Sequence, residues 1–140
     1  MRRVVIGVDE HGRSCVVSDD QLEGPDNVSR SIWTIKPNEN AARIAAVDSS
    51  HSPLKVPKGG AVWRDAYIHQ WSAMRYPLHT TPTVDFTYVL EGDITLDLDE
   101  GSVELRAGDC VVQQATRHAW RNHRDHPVRL LTVLVASSES

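Results

Sequence analysis

Three side chains in this chain have the types and spacing for metal chemistry. His79 and Asp85 lie in the run His79-Thr80-Thr81-Pro82-Thr83-Val84-Asp85, and Gly92 closes a turn beyond it. His118 follows in His118-Ala119-Trp120-Arg121-Asn122, downstream of Gly108-Asp109. Two neutral imidazoles and one carboxylate, with coordination positions left open, form a recurrent catalytic metal arrangement. Taken singly, each residue has a blander reading: a surface histidine, an aspartate bonded to nearby threonines, a histidine capping a turn. Taken together in one small β-domain, they predict one divalent metal per chain, with Fe, Zn, Mn and Ni all compatible.

Strands must position these groups. On an extended stretch alternate side chains share a face. His79, Thr81, Thr83, Asp85 and Thr87 then point one way and Phe86, Tyr88 and Leu90 the other, provided the alternation runs through Pro82. The polar set would face a barrel interior, where unpartnered polar groups are costly and a metal or ligand would satisfy them. His118 and Trp120 share a face in the same way. Strand patterning dominates from residue 61 onward. Ile94, Leu96 and Leu98 alternate with polar residues, Val103–Leu105 and Cys110–Gln113 follow, and Val128–Ala136 is a β-branched and leucine run. Glu91-Gly92-Asp93, Asp99-Glu100-Gly101 and Ala107-Gly108-Asp109 are turns. Short strands at this spacing predict an all-β jelly-roll barrel over 61–137.

Residues 1–60 read as an extended N-terminal arm. Val4–Val8, Cys15–Ser18 and Ser31–Ile35 are short strand candidates, the first two joined by the Asp9–Arg13 turn. Asn38–Val47 carries a weak helix signal and Lys36–Gly60 is irregular. An arm with Trp33 in it needs a surface, either the barrel's outer face or a partner subunit, so a homodimer is expected.

The chain has 140 residues and a net charge of -4, enough for one domain with a core. Its scattered basic residues argue against nucleic acid or an anionic membrane as partner. Cys15 and Cys110 flank valines and read as reduced buried thiols. The N-terminal apolar run is too short for a signal peptide, so a cytoplasmic protein is expected.

On these residues the chain resembles a single-domain cupin. The first cupin motif, a Gly, five residues, His-x-His, a Glu and a closing Gly, maps onto Ala73, His79, Thr81, Asp85 and Gly92. The second maps onto Gly108, Gln114, His118 and Asn122, with its Pro and Gly replaced and the spacing to His one shorter. The pattern is similar to a group of small bacterial and fungal cupins, some found alongside polyketide-tailoring enzymes. The resemblance implies a cupin-type barrel with its metal at His79, Asp85 and His118. Thr81 stands where a second His is usual and Asp85 where a Glu is usual, which leaves the site more open.

Thr81, Arg75, Gln113 and Trp120 are candidate pocket residues. Arg75 suits an anionic substrate group, and Gln113 a hydrogen bond into the cavity. His69, in Tyr67–Trp71, is the candidate general base. The ligand set favours oxygenation of a small organic molecule at non-haem iron. A lyase, isomerase, decarboxylase or polyketide cyclase at Zn, Mn or Ni is the rival, and a non-catalytic ligand-binding cupin the third reading.

Overall fold

A computed structural model describes residues 2–21, 23, 56–72 and 77–137. These residues form ten strands and no helix. Six make one sheet, in the order β2-β1-β8-β5-β10-β3, and four make a second, β4-β9-β6-β7. In chain order they are β1 (Arg2–Val8), β2 (Ser14–Gln21), β3 (Ala61–Ile68), β4 (His79–Thr80), β5 (Thr83–Glu91), β6 (Asp93–Leu98), β7 (Ser102–Arg106), β8 (Cys110–Gln114), β9 (Arg117–Arg121) and β10 (Val128–Ala136). The expected all-β architecture is present, and the Glu91-Gly92-Asp93 turn joins β5 to β6. Gly92 holds φ at 89°, and a Cβ there would stand 3.0 Å from Val128 Cγ2. Both facts favour glycine.

Strand alternation sorts the side chains. Thr83, Asp85, Thr87 and Val89 of β5 are buried, whereas Val84, Phe86, Tyr88 and Leu90 are half-buried. Register extends this inner face across the large sheet. One row runs Ile6, Gln113, Asp85, Leu134, Val62; the next runs Val4, Val111, Thr87, Thr132, Arg64. In the small sheet, Leu98 pairs with His118 and Leu96 with Trp120. Val4, Ile6, Val89, Ile94, Leu96, Val111, Val128 and Leu130 belong to one hydrophobic cluster, which supplies the main driving force for folding. The polar rows lie toward the opposite end of the large sheet, past Thr132.

The N-terminal strands differ from the expected arm. β1 pairs antiparallel with β2 and parallel with β8, and Val4 and Ile6 are fully buried. Residues 2–21 therefore extend the barrel's larger sheet instead of lying on its outside. A continuous valine–isoleucine run suits a strand paired on both edges. The candidates Ser31–Ile35 and Asn38–Val47, with Trp33, lie outside the described residues.

Arg2 ties this hairpin to the barrel. Its guanidinium bonds Asp19 at 2.7 Å and Asp109 at 3.0 Å, and donates to the Glu104 carbonyl. The Asp109 carboxylate, buried in the turn before β8, also accepts from the Arg106 N–H. Arg2→Ala would leave that buried carboxylate without its cation, a loss of about 2 kcal/mol. Urea denaturation is expected to show this, with Asp19→Ala costing much less because Asp19 is exposed. Cys110 is buried and Cys15 half-buried, and both are free thiols. Burial pushes the Cys110 thiol up, so it is an unreactive core residue.

Candidate functional site

The chain leaves the small sheet after Thr80 and enters the large one at Thr83. Between them the Thr83 N–H donates to the Thr81 carbonyl at 2.8 Å, a three-residue turn centred on Pro82. Proline's fixed φ suits that centre, and its missing N–H ends the pairing of β4. The alternation expected through Pro82 is thus broken. Thr83, Asp85 and Thr87 share the buried face of the large sheet, while His79 belongs to the small one.

The break brings the histidines together. β4 pairs with β9 so that His79 lies directly opposite His118, with ring centroids 4.7 Å apart and planes inclined at 53°. The two are anchored alike. His79 Nδ1 bonds the Pro77 carbonyl at 2.9 Å, and His118 Nδ1 bonds the Thr116 carbonyl at 2.8 Å. A carbonyl only accepts, so each Nδ1 carries a proton, and in the neutral ring Nε2 is the nitrogen that presents a lone pair. His79 is exposed and His118 is buried. Burial pushes the His118 imidazole below its ordinary pKa, against the Thr116 bond, and proximity to His79 adds to this. His118 is therefore neutral at pH 7, the form that binds metals. Trp120 packs edge-on to it at 6.3 Å and rests on the core cluster.

Asp85 comes from the facing sheet. It is 7% exposed and accepts a 2.5 Å hydrogen bond from Thr83 Oγ1. Burial pushes its carboxyl up to about 6, against the Thr83 bond and the attraction of His79. Among the described residues, no three His, Cys, Asp or Glu side chains converge as a ready-made ligand set. The geometry supplies two imidazoles side by side and a carboxylate electrostatically coupled to one of them. Beside Asp85 on β8, Gln113 is 1% exposed, and neither its amide oxygen nor its nitrogen has a partner. Buried polar atoms without partners are rare, and here they lie on the face that carries Asp85. Thr116 Oγ1 and Arg121 Nε are further buried polar atoms without a partner.

The turn feeding His118 carries backbone strain. Ala115 has φ of 53°, the left-handed region that costs a non-glycine residue about 1–2 kcal/mol. Its N–H is held by the Thr83 carbonyl at 2.9 Å. Ala115→Gly is expected to raise stability by up to about 1 kcal/mol, strain relief offsetting the greater freedom of the unfolded chain. Ala115→Val should lower it by about 1–2 kcal/mol, both read by chemical denaturation.

The other expected residues fall as follows. Thr81 is half-buried in the crossing turn. Arg75 lies outside the described residues, as does Ala73. His69 is exposed, one residue past the end of β3. It stands seven residues on from Val62, the member of Asp85's row, about 23 Å at strand rise. The adjoining bridge, Gln70 to Asn122, likewise meets the small sheet four residues beyond His118. Register thus sets His69 well along the sheet from Asp85's row, and its role as general base stays an expectation from the sequence. The Thr83 bond is the blander reading of Asp85 met in the structure; sequence reading missed the two carbonyls that fix the imidazoles, since carbonyl partners leave no mark in a sequence.

The Cupin domain family (Cupin_2) matches residues 56–134, and the chain belongs to that family. Among curated proteins it is 40% identical over 74 residues to oryzines biosynthesis cluster protein J of Aspergillus oryzae, covering 52% of this chain and 40% of that one. It is 46% identical over 50 residues to phomopsin biosynthesis cluster protein D of Diaporthe leptostromiformis, covering 35% and 26%. It is 39% identical over 67 residues to the cupin-domain-containing oxidoreductase srdD of Neurospora crassa, covering 45% and 34%. The match thus spans less than half the length of these relatives. Among solved structures, a Cupin 2 conserved barrel domain protein from Salinispora arenicola is 17% identical, with a TM-score of 0.39 over 71% of this chain and 92% of that one. No helix among the described residues is long and apolar enough to cross a membrane.

Proposed function

We propose that this cupin is a metal-dependent oxidoreductase acting on a small organic molecule, with His79, His118 and Asp85 as the metal's protein ligands. The observation that carries this reading is the His79–His118 pair. Both Nδ1 atoms are committed to main-chain carbonyls, the outer-shell anchoring typical of metal-ligating histidines. Two parallel accidents of that kind, on directly paired residues, are improbable for merely structural histidines. The donor types suit a divalent ion, two imidazoles side by side and a carboxylate whose burial makes charge costly until a cation arrives, and a bound ion would have to draw Asp85 toward the pair. Bound there, a non-haem Fe²⁺ would supply electrons and open coordination positions for oxidation.

The chain's own residues do the rest. Thr83 holds Asp85 through its hydroxyl, fixing one carboxylate oxygen. Trp120 walls the buried side of His118. Gln113 offers an unpartnered amide to the substrate, donating through Nε2 or accepting at Oε1. The oxidoreductase reading is favoured over lyase or cyclase chemistry because srdD and two further relatives, virC of Hypocrea virens and fogC of Aspergillus ruber, carry that description. Fold alone would not choose between them. The test is dioxygen uptake by Fe²⁺-loaded protein with a panel of phenols, enols and diketones. Substrate-dependent uptake is expected; turnover undiminished without oxygen would contradict oxygenation and favour the lyase class.

A further inference from the structure

We infer that Arg64 is the residue that binds a carboxylate of the substrate, so that the cupin acts on an organic acid. The inference deepens the function proposed above and rests on its placing the substrate against the barrel's inner face.

The run Ala61–Ile68 alternates between exposed and half-buried positions. Trp63 and Tyr67, on the odd phase, are 73% and 49% exposed on the outside. On the even phase, Ala66 and Ile68 pack against the hydrophobic core, and Val62 pairs with buried Leu134. Arg64 occupies the remaining even position, so a guanidinium stands on the inner face among apolar neighbours. It pairs with Thr132, which pairs with Thr87, and those two hydroxyls are 2.8 Å apart. This row lies next to the one that carries Gln113 and Asp85. Two strand spacings and one side-chain repeat separate the Cα atoms of Arg64 and Asp85, about 12 Å. One small molecule can reach both side chains.

Arg64 also stands apart in its pairing. Five described arginines are half-buried: Arg2, Arg3, Arg64, Arg121 and Arg129. Four of them are ion-paired with aspartates. For Arg64 no hydrogen bond or ion pair is found among the described residues. A partly desolvated cation without a counter-charge is unfavourable. Its planar fork matches a carboxylate with two parallel hydrogen bonds, and the adjoining Thr87–Thr132 pair can donate one more. Sequence reading offered Arg75 for an anionic group, and that residue lies outside the described residues; the inner-face position and missing counter-ion point to Arg64 independently of it.

The experiment uses benzoate and its neutral isostere benzamide as probes, titrated by calorimetry into wild type, Arg64→Gln and Arg64→Lys. Wild type should prefer benzoate by about 10-fold or more, as a charge-assisted bidentate contact allows. Arg64→Gln should abolish the preference and Arg64→Lys retain part of it. Neither variant should lose thermal stability, because no folded-state partner is removed. The titrations are repeated on chelator-treated wild type and on metal-free His118→Ala. Preference that persists in both places the acid on Arg64 whether or not the metal assignment holds. Preference that vanishes on chelation, or survives in Arg64→Gln, would overturn the inference. So would the absence of benzoate binding at about millimolar concentration.

Discussion

Replacing His118 with alanine is expected to weaken divalent-metal binding by at least about 100-fold and to abolish oxidation. Losing an outer-shell partner of a metal ligand already costs 10–100-fold, and His118 is the buried, fully oriented member of the pair. His79→Ala should have the same direction and a smaller effect, because His79 is exposed at the sheet edge and water can take its place. Removing the Nδ1 anchor is a finer test. Thr116 holds His118 through its carbonyl, so Thr116→Ala should leave metal binding nearly intact, whereas a substitution that shifts the backbone there should not. Metal-free His118→Ala should remain folded, which circular dichroism would verify before metal content is compared.

Asp85→Asn is expected to stabilise the metal-free protein at pH 7 while destroying the metal site. The Asp85 carboxyl has its pKa raised from 3.8 to about 6, so the folded state holds this proton more tightly than the unfolded chain. Between pH 4 and 6 the folded protein therefore binds more protons, and its stability falls as pH rises through that window. Above pH 6 the full penalty applies, about 3 kcal/mol from the size of the shift. Asparagine carries no charge and keeps an oxygen to accept the Thr83 hydroxyl. The variant should thus match wild type near pH 4 and exceed it by about 1–3 kcal/mol at pH 7. Denaturation across pH, with chelator present, checks this. Adding metal should reverse the order, since a bound cation stabilises the ionised carboxylate. A residue that costs stability without metal and restores it with metal behaves as a ligand, a trade-off common to functional sites.

Much of this was legible in the chain. The run Val128–Ala136 is β10 to the residue, and alternation in Ile94–Leu98 marks β6 because one face of each strand is buried and the other is not. The metal-type residues stood out by kind and spacing. What escaped was non-local. The parallel pairing of β1 with β8 joins segments about a hundred residues apart, and no local pattern announces it. Pro82 stood in plain view, yet only the Thr81–Thr83 turn shows that it divides two sheets and sets His79 beside His118. His69 shared a plausible run with Trp71, and its position just past the end of β3 is a matter of strand length that the run did not reveal. Arg64's inner-face position was detectable, as a charge on the half-buried phase of an alternating strand.

Metal stoichiometry decides whether His79, His118 and Asp85 hold a metal. The protein would be purified without a metal-affinity tag, stripped, reloaded with Fe²⁺ or Zn²⁺, desalted and measured by elemental analysis beside His118→Ala and Asp85→Asn. Close to one metal per chain in wild type, with little in either variant, is the expected result. Metal-free wild type, or His118→Ala retaining full stoichiometry, would contradict the site.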